Sequence, residues 1–233
     1  MEKEQKVGLF EVALIMAIPA LLIGLFELLL VTLSIEQGMG VVETSVAMYS
    51  KYGIVMQYMY IIVLLPILPI ALVLYKKYGI SFKDQIFSKK GKLKDVLFGV
   101  MAAITSFMFQ YIILHVIIGA PINKLNDTSI FILSFISIVL VSGFCKEIYF
   151  RGLPFVFLKE HLGEWGSFLL GNICFIVLDW QNLGLSFCFG LIWYMYYRKR
   201  GALIIPIIGH GGLNLLSLLA RAGAFSFLGI IPQ

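Results

Sequence analysis

Charge is what this sequence has least of. Only 13% of its 233 residues are Asp, Glu, Lys or Arg, 60% are hydrophobic, and mean hydropathy is +0.95. An ordinary soluble domain carries about 25% charged residues. A soluble globular fold is therefore excluded, and no stretch is long or polar enough for a separate soluble domain. Cysteines are equally sparse. Cys145, Cys174 and Cys188 lie in or beside apolar runs, with no CxxC or Cys/His ligand spacing. Neither a disulfide framework nor a zinc site is expected, and the three are read as small core residues. No cofactor or metal is expected. The net charge of +5 is modest and comes from lysines clustered in one loop, so it is a topology signal and no nucleic-acid partner is expected. Internal repeats and low-complexity linkers are absent from the sequence.

What the chain does have is long apolar runs. A membrane span needs about 20 such residues, so this length allows roughly six to eight helices. A first helix is expected over residues 8–34, carrying Glu11 near an end and Glu27 deeper. A signal-peptide core is much shorter, about 7–15 residues. A loop over 35–52 precedes a second helix at 54–75, with Pro66 and Pro69 inside it. Seven lysines between 76 and 94 face only Asp84 and Asp95, which marks that loop as cytoplasmic. Further helices are expected at 96–118 (with Gln110 and His115), 129–157 (bent near Pro154), 165–180, 185–197 and 202–219. The segments between them, 119–127, 159–164 and 181–184, are read as loops. The aromatic end Trp193, Tyr194, Tyr196, Tyr197 is expected to anchor at the lipid interface, and residues 222–231 to form a half-helix or interfacial tail. The fold class is an all-α polytopic bundle of about seven helices with a buried polar cavity. It is one membrane domain over 1–233, in the cell membrane, with its N-terminus cytoplasmic.

One stretch breaks the apolar pattern. Gly143-Phe144-Cys145-Lys146-Glu147-Ile148-Tyr149-Phe150-Arg151-Gly152 puts a cation, a carboxylate and a second cation directly after the apolar run 130–141. Charges at membrane depth are costly, face the bundle interior, and mark functional sites. At about 1.5 Å per residue, Glu147 lies roughly 15 Å from the cytoplasmic end of its helix, Asp179 roughly 21 Å and His210 roughly 12 Å. Three polar groups at similar depth imply a shared polar cavity. Glu147 and Arg151 are i and i+4, the favourable order for a helical ion pair. His210 and Asn214 share that spacing, so Asn214 is expected either to orient the imidazole or to face a common ligand. Gly209, Gly211 and Gly212 allow close approach of another helix or a substrate.

These motifs resemble the CPBP family, the CAAX-protease and bacteriocin-processing membrane proteins also called Abi. The family pattern is Glu-Glu-x-x-x-Arg, Phe-x-x-x-His and His-x-x-x-Asn on successive membrane helices. Here the motifs read Lys146-Glu147-Ile148-Tyr149-Phe150-Arg151, then Phe175-Ile176-Val177-Leu178-Asp179, then His210-Gly211-Gly212-Leu213-Asn214. The resemblance covers residues 129–219. It implies that the first Glu and the second-motif His activate a water, and that the last His and Asn stabilise an oxyanion. It also implies substrates that are prenylated or hydrophobic peptides. Lys146 stands where the first Glu belongs and Asp179 where the His belongs. Their opposite signs predict an ion pair filling the former water site. The candidate site is Lys146, Glu147, Arg151, Asp179, His210 and Asn214. The expected function is binding of a hydrophobic or lipidated peptide or a membrane-protein partner, as in bacteriocin self-immunity, with little or no proteolysis. An active intramembrane endopeptidase and a small transporter component are the alternatives.

Overall fold

The computed structural model describes residues 9–35, 40–122, 124–179 and 184–225. The charged opening, residues 180–183 and the tail beyond 225 lie outside them. Every regular element among the described residues is helical: α1 Leu9–Thr32, α2 Val41–Lys77, α3 Phe82–Ile86, α4 Lys92–Tyr111, α5 Thr128–Ser134, α6 Gly143–Glu147, α7 Lys159–Leu178, α8 Leu185–Arg200 and α9 Ile204–Arg221. Four stretches, Ile112–Ile117, Phe135–Ser142, Ile148–Gly152 and Pro154–Leu158, are widened to π-type i→i+5 turns, a local form often found at functional sites.

Among the described residues, five continuous stretches are long and apolar enough to cross a membrane: Phe10–Thr32, Lys51–Lys77, Lys92–Ile117, Thr128–Leu178 and Ile204–Arg221. The fourth is 51 residues long, about 76 Å of helix against a core about 30 Å thick. It therefore holds two of the expected helices, divided at Gly163, where φ is 69° and ψ 176°. With α8 the count is the expected seven. α8 itself, 16 residues ending in Arg198-Lys199-Arg200, is shorter than a full span.

Three expectations are corrected. The loop over 35–52 is mostly helix, because α2 begins at Val41. Glu43, Thr44, Ser45 and Lys51 are polar, but no Pro or Gly lies between 41 and 52 to stop the helix. The loop over 159–164 reduces to one left-handed glycine, Gly163, inside otherwise helical turns. Trp193 and Tyr194 are buried instead of lying in an interfacial belt, because their faces pack inside the protein.

The chain divides into two compact units. The first comprises Met1–Phe82 and Ile148–Phe187. Here α1 packs on α2 and α7, and α7 lies against the widened turns 148–158. Gly171 permits that approach, since a Cβ there would stand 1.9 Å from the Phe150 carbonyl oxygen. Polar groups in this unit meet across helices. The Tyr60 hydroxyl donates to Glu27 at 2.9 Å, and Tyr149 donates to the Leu64 carbonyl, two residues before Pro66. At the helix ends, Lys77 and the Tyr78 hydroxyl donate to Glu11 at 2.6 and 3.1 Å.

The second unit comprises Lys83–Glu147 and Cys188–Gln233. α9 packs chiefly on α4, and also on Phe135–Ser142 and α6. Asp127 caps α5 by accepting from the backbone N–H groups of Ser129 and Ile130 at 2.7 and 3.1 Å. The glycines beside His210 serve helix packing. A Cβ at Gly212 would stand 2.6 Å from the Ala103 Cβ, and one at Gly143 would stand 2.9 Å from the Gly211 Cα.

Candidate functional site

α6 is a single turn between two widened turns, and it ends at Glu147. Glu147 is fully buried, and Lys146 beside it is 2% exposed. His210 projects from the glycine-rich face of α9, where close packing leaves it only 4% exposed. The two meet directly, with His210 Nδ1 2.7 Å from Glu147 Oε1. One proton is shared across this contact, and the contact sets the ring orientation whichever partner carries it.

The other side of that ring is held too. The Trp193 indole lies parallel to it, with 4.7 Å between centroids and an interplanar angle of 16°. Trp193 Nε1–H in turn donates to Ser106 Oγ on α4 at 2.9 Å. A continuous relay of contacts thus runs Ser106–Trp193–His210–Glu147 across α4, α8, α9 and α6. Asn214 neither orients the imidazole nor completes this relay by a hydrogen bond. Its Nδ2 donates to the Ile138 carbonyl at 3.0 Å, pinning α9 to the widened turn Phe135–Ser142.

The remaining two candidates belong to the first unit. Arg151 is buried in Ile148–Gly152. Its Nη2 donates to Asn172 Oδ1 at 3.0 Å, and its guanidinium carbon stands 4.1 Å above the Phe175 ring. Asn172 passes the contact on by donating to the Phe187 carbonyl at 3.3 Å. The Arg of the first motif and the Phe of the second therefore touch, a cation–π contact within the protein. Asp179 follows the last turn of α7. Its backbone N–H donates to the Ile176 carbonyl at 3.0 Å, and its own carbonyl accepts from Ser186 Oγ at 3.5 Å. Its side chain is half-buried.

Chemically, a carboxylate holding an imidazole is the arrangement of a general base or of a locked structural pair. Asn214 as placed supports the helices through one of its two amide N–H groups. Among the described residues, no three His, Cys, Asp or Glu side chains are grouped to hold a metal. Four participants escaped the sequence: Trp193, Ser106, Asn172 and the Ile138 carbonyl. Asn172 is an isolated polar residue within an apolar run and Ser106 one of a Thr105-Ser106 pair in another, and each does mark a buried contact. Trp193 carried an interfacial signal that pointed the wrong way. A backbone carbonyl leaves no trace in sequence.

Residues 128–216 match a family model described as type II CAAX prenyl endopeptidase, Rce1-like, and the matched stretch contains all six candidate residues. The resemblance carried by the three motifs is thereby borne out. No curated protein and no solved structure matches the chain.

Proposed function

We propose, taking residues 128–216 as a segment of the Rce1-like family, that this multi-pass membrane protein is a pseudoenzyme. It binds a hydrophobic or lipidated peptide, or a membrane-protein partner, with little or no hydrolysis. The supporting observation is what the third motif already holds. His210 Nδ1 is bonded to Glu147 and its ring is stacked on Trp193, and one N–H of the Asn214 amide is taken by the Ile138 carbonyl. An oxyanion site needs donors aimed at the reacting oxygen. Lys146 at the first-Glu position supplies no carboxylate for water activation. Self-immunity against a bacteriocin is the use that the family resemblance suggests.

The opposite signs of Lys146 and Asp179, at the two positions where the family places its water-activating couple, support an ion pair in its stead. Removing one member of such a pair strands the other's charge and costs more stability than removing both. Thermal unfolding in detergent of Lys146→Ala, Asp179→Ala and the double variant tests this. A double variant no better folded than either single one refutes the pairing. The lysine-rich stretch 76–94 supports a cytoplasmic N-terminus in the cell membrane. An alkaline phosphatase fused after Lys90 that proved active outside the cytoplasm would reverse that orientation.

To test the function, the purified protein and its Glu147→Gln variant are incubated with a farnesylated hydrophobic peptide in detergent. A binding protein retains the peptide in both forms and releases no fragment. Failure of both forms to retain any lipidated or hydrophobic peptide would refute binding. One observation favours an alternative, an active endopeptidase using His210 as base: the 2.7 Å contact with Glu147 is the geometry of an oriented imidazole. Cleavage abolished by Glu147→Gln with the fold intact would establish that alternative.

A further inference from the structure

In the second unit, α3, the start of α4 and the end of α8 are tied into one collar. The Leu203 N–H donates to the Gln85 carbonyl at 2.9 Å, and Lys90 Nζ donates to the Lys199 carbonyl at 3.2 Å. The Arg200 guanidinium donates to Asp95 through Nε and to the Gly91 carbonyl through Nη2 at 3.0 Å. Asp95 also accepts from the Ser88 N–H at 2.7 Å and from its hydroxyl at 2.8 Å. These bonds set residues 83–95 beside residues 198–200.

The charge gathered there is one-sided. The two segments hold eight Lys and Arg against two Asp, a net of +6 on a chain whose whole net charge is +5. Asp95 is fully buried and bonded to Arg200, so its charge does not reach the surface. Lys83, Lys89, Lys90, Lys92, Lys94 and Lys199 are exposed. Lys92 and Lys94 stand in the first turn of α4, whose cap, Gly91, supplies no side-chain acceptor. That is the positive end of the helix dipole, where cations are disfavoured; the acid of that turn, Asp95, is turned inward to Arg200, so an outside anion is favoured beside the lysines. The collar is also apolar in places. Leu93, between two of these lysines, is 73% exposed, and Lys92 Nζ lies 5.6 Å from the Phe87 ring centroid. Lysines interleaved with exposed apolar side chains at the mouth of a span match the boundary between headgroups and acyl chains. A soluble anion has no use for the apolar part.

We propose that this collar is a docking surface for the phosphate headgroups of anionic phospholipids. The inference is independent of whether the protein hydrolyses peptides. The full-length protein is exchanged into mixed micelles of phosphatidylglycerol and phosphatidylcholine, and bound lipids are counted by native mass spectrometry. The wild type retains phosphatidylglycerol at least about tenfold more strongly than phosphatidylcholine, with each lysine contributing about fivefold near an anionic surface. The preference falls as salt shortens the screening length from about 10 Å to about 3 Å. Replacing Lys89, Lys90, Lys92 and Lys94 by Gln together abolishes the preference, whereas Lys51→Gln, an exposed lysine of α2, leaves it. Should the fourfold variant fail to fold, Lys92→Gln with Lys94→Gln must still lower the preference several-fold. Equal retention of both lipids by the wild type would overturn the proposal. So would a preference indifferent to salt and to these substitutions, or one lost on adding equimolar inorganic phosphate or an oligonucleotide.

Discussion

Glu27 and Glu147 are both fully buried carboxylates on membrane-crossing helices, yet they are built into different surroundings. Glu27 accepts from one phenol, Tyr60, on the neighbouring α2. Glu147 shares a hydrogen bond with an imidazole that is itself stacked on an indole, which is tied to a serine on a further helix. The first is a cross-helix hydrogen bond of the kind that binds a bundle together. The second engages four elements and includes an imidazole, whose two ring nitrogens can donate or accept. Burial of a carboxylate alone therefore does not single out the candidate site; the group facing it is what distinguishes the two.

The comparison can be broken most forcefully at Glu147. Glu147→Ala leaves the buried His210 Nδ1 without its partner and is expected to destabilise by about 3 kcal/mol, the upper range for a buried group left unsatisfied, read as a large drop in thermal midpoint in detergent. Glu147→Gln keeps the shape and an acceptor, and should cost about 1–3 kcal/mol. If Glu27→Ala proved as damaging as Glu147→Ala, the distinction between the two carboxylates would fail. Trp193→Leu removes the ring that flattens His210 and frees Ser106. A loss of about 0.5–1.5 kcal/mol is expected from the stack alone, with a changed His210 imidazole signal in NMR. Tyr60→Phe is expected to be the mildest, about 1 kcal/mol, and should leave the His210 signal unmoved. A shift of that signal in Tyr60→Phe would show that the two carboxylates are coupled.

Helix order was legible because apolar runs near 20 residues, interrupted by lysines and glycines, leave little alternative in a membrane. Where the structure departs from the sequence, tertiary context overrides local composition. Residues 41–52 are polar enough to read as loop, but they hold no helix breaker and α2 begins at Val41. A tryptophan next to tyrosines and arginines lies on average at the lipid interface, and Trp193 does not. Its actual place depends on Ser106, 87 residues away in sequence. Depth along each helix puts Glu147 and His210 at a similar level, but neither their direct contact nor the partner of Asn214 can be read from it. A widened turn that brings the Ile138 carbonyl within reach has no signature in residue types. The glycines around His210 left two options open, helix or substrate, and the Ala103 and Gly143 contacts decide for the helix.

The most direct measurement is mass-spectrometric detection of fragments after the purified protein is incubated with a farnesylated peptide, run beside a variant carrying Lys146→Glu and Asp179→His. The native chain should yield no fragment, and the variant, with the family's water-activating couple restored, should yield some. Fragments from the native chain that vanish in Glu147→Gln would contradict the proposed loss of catalysis.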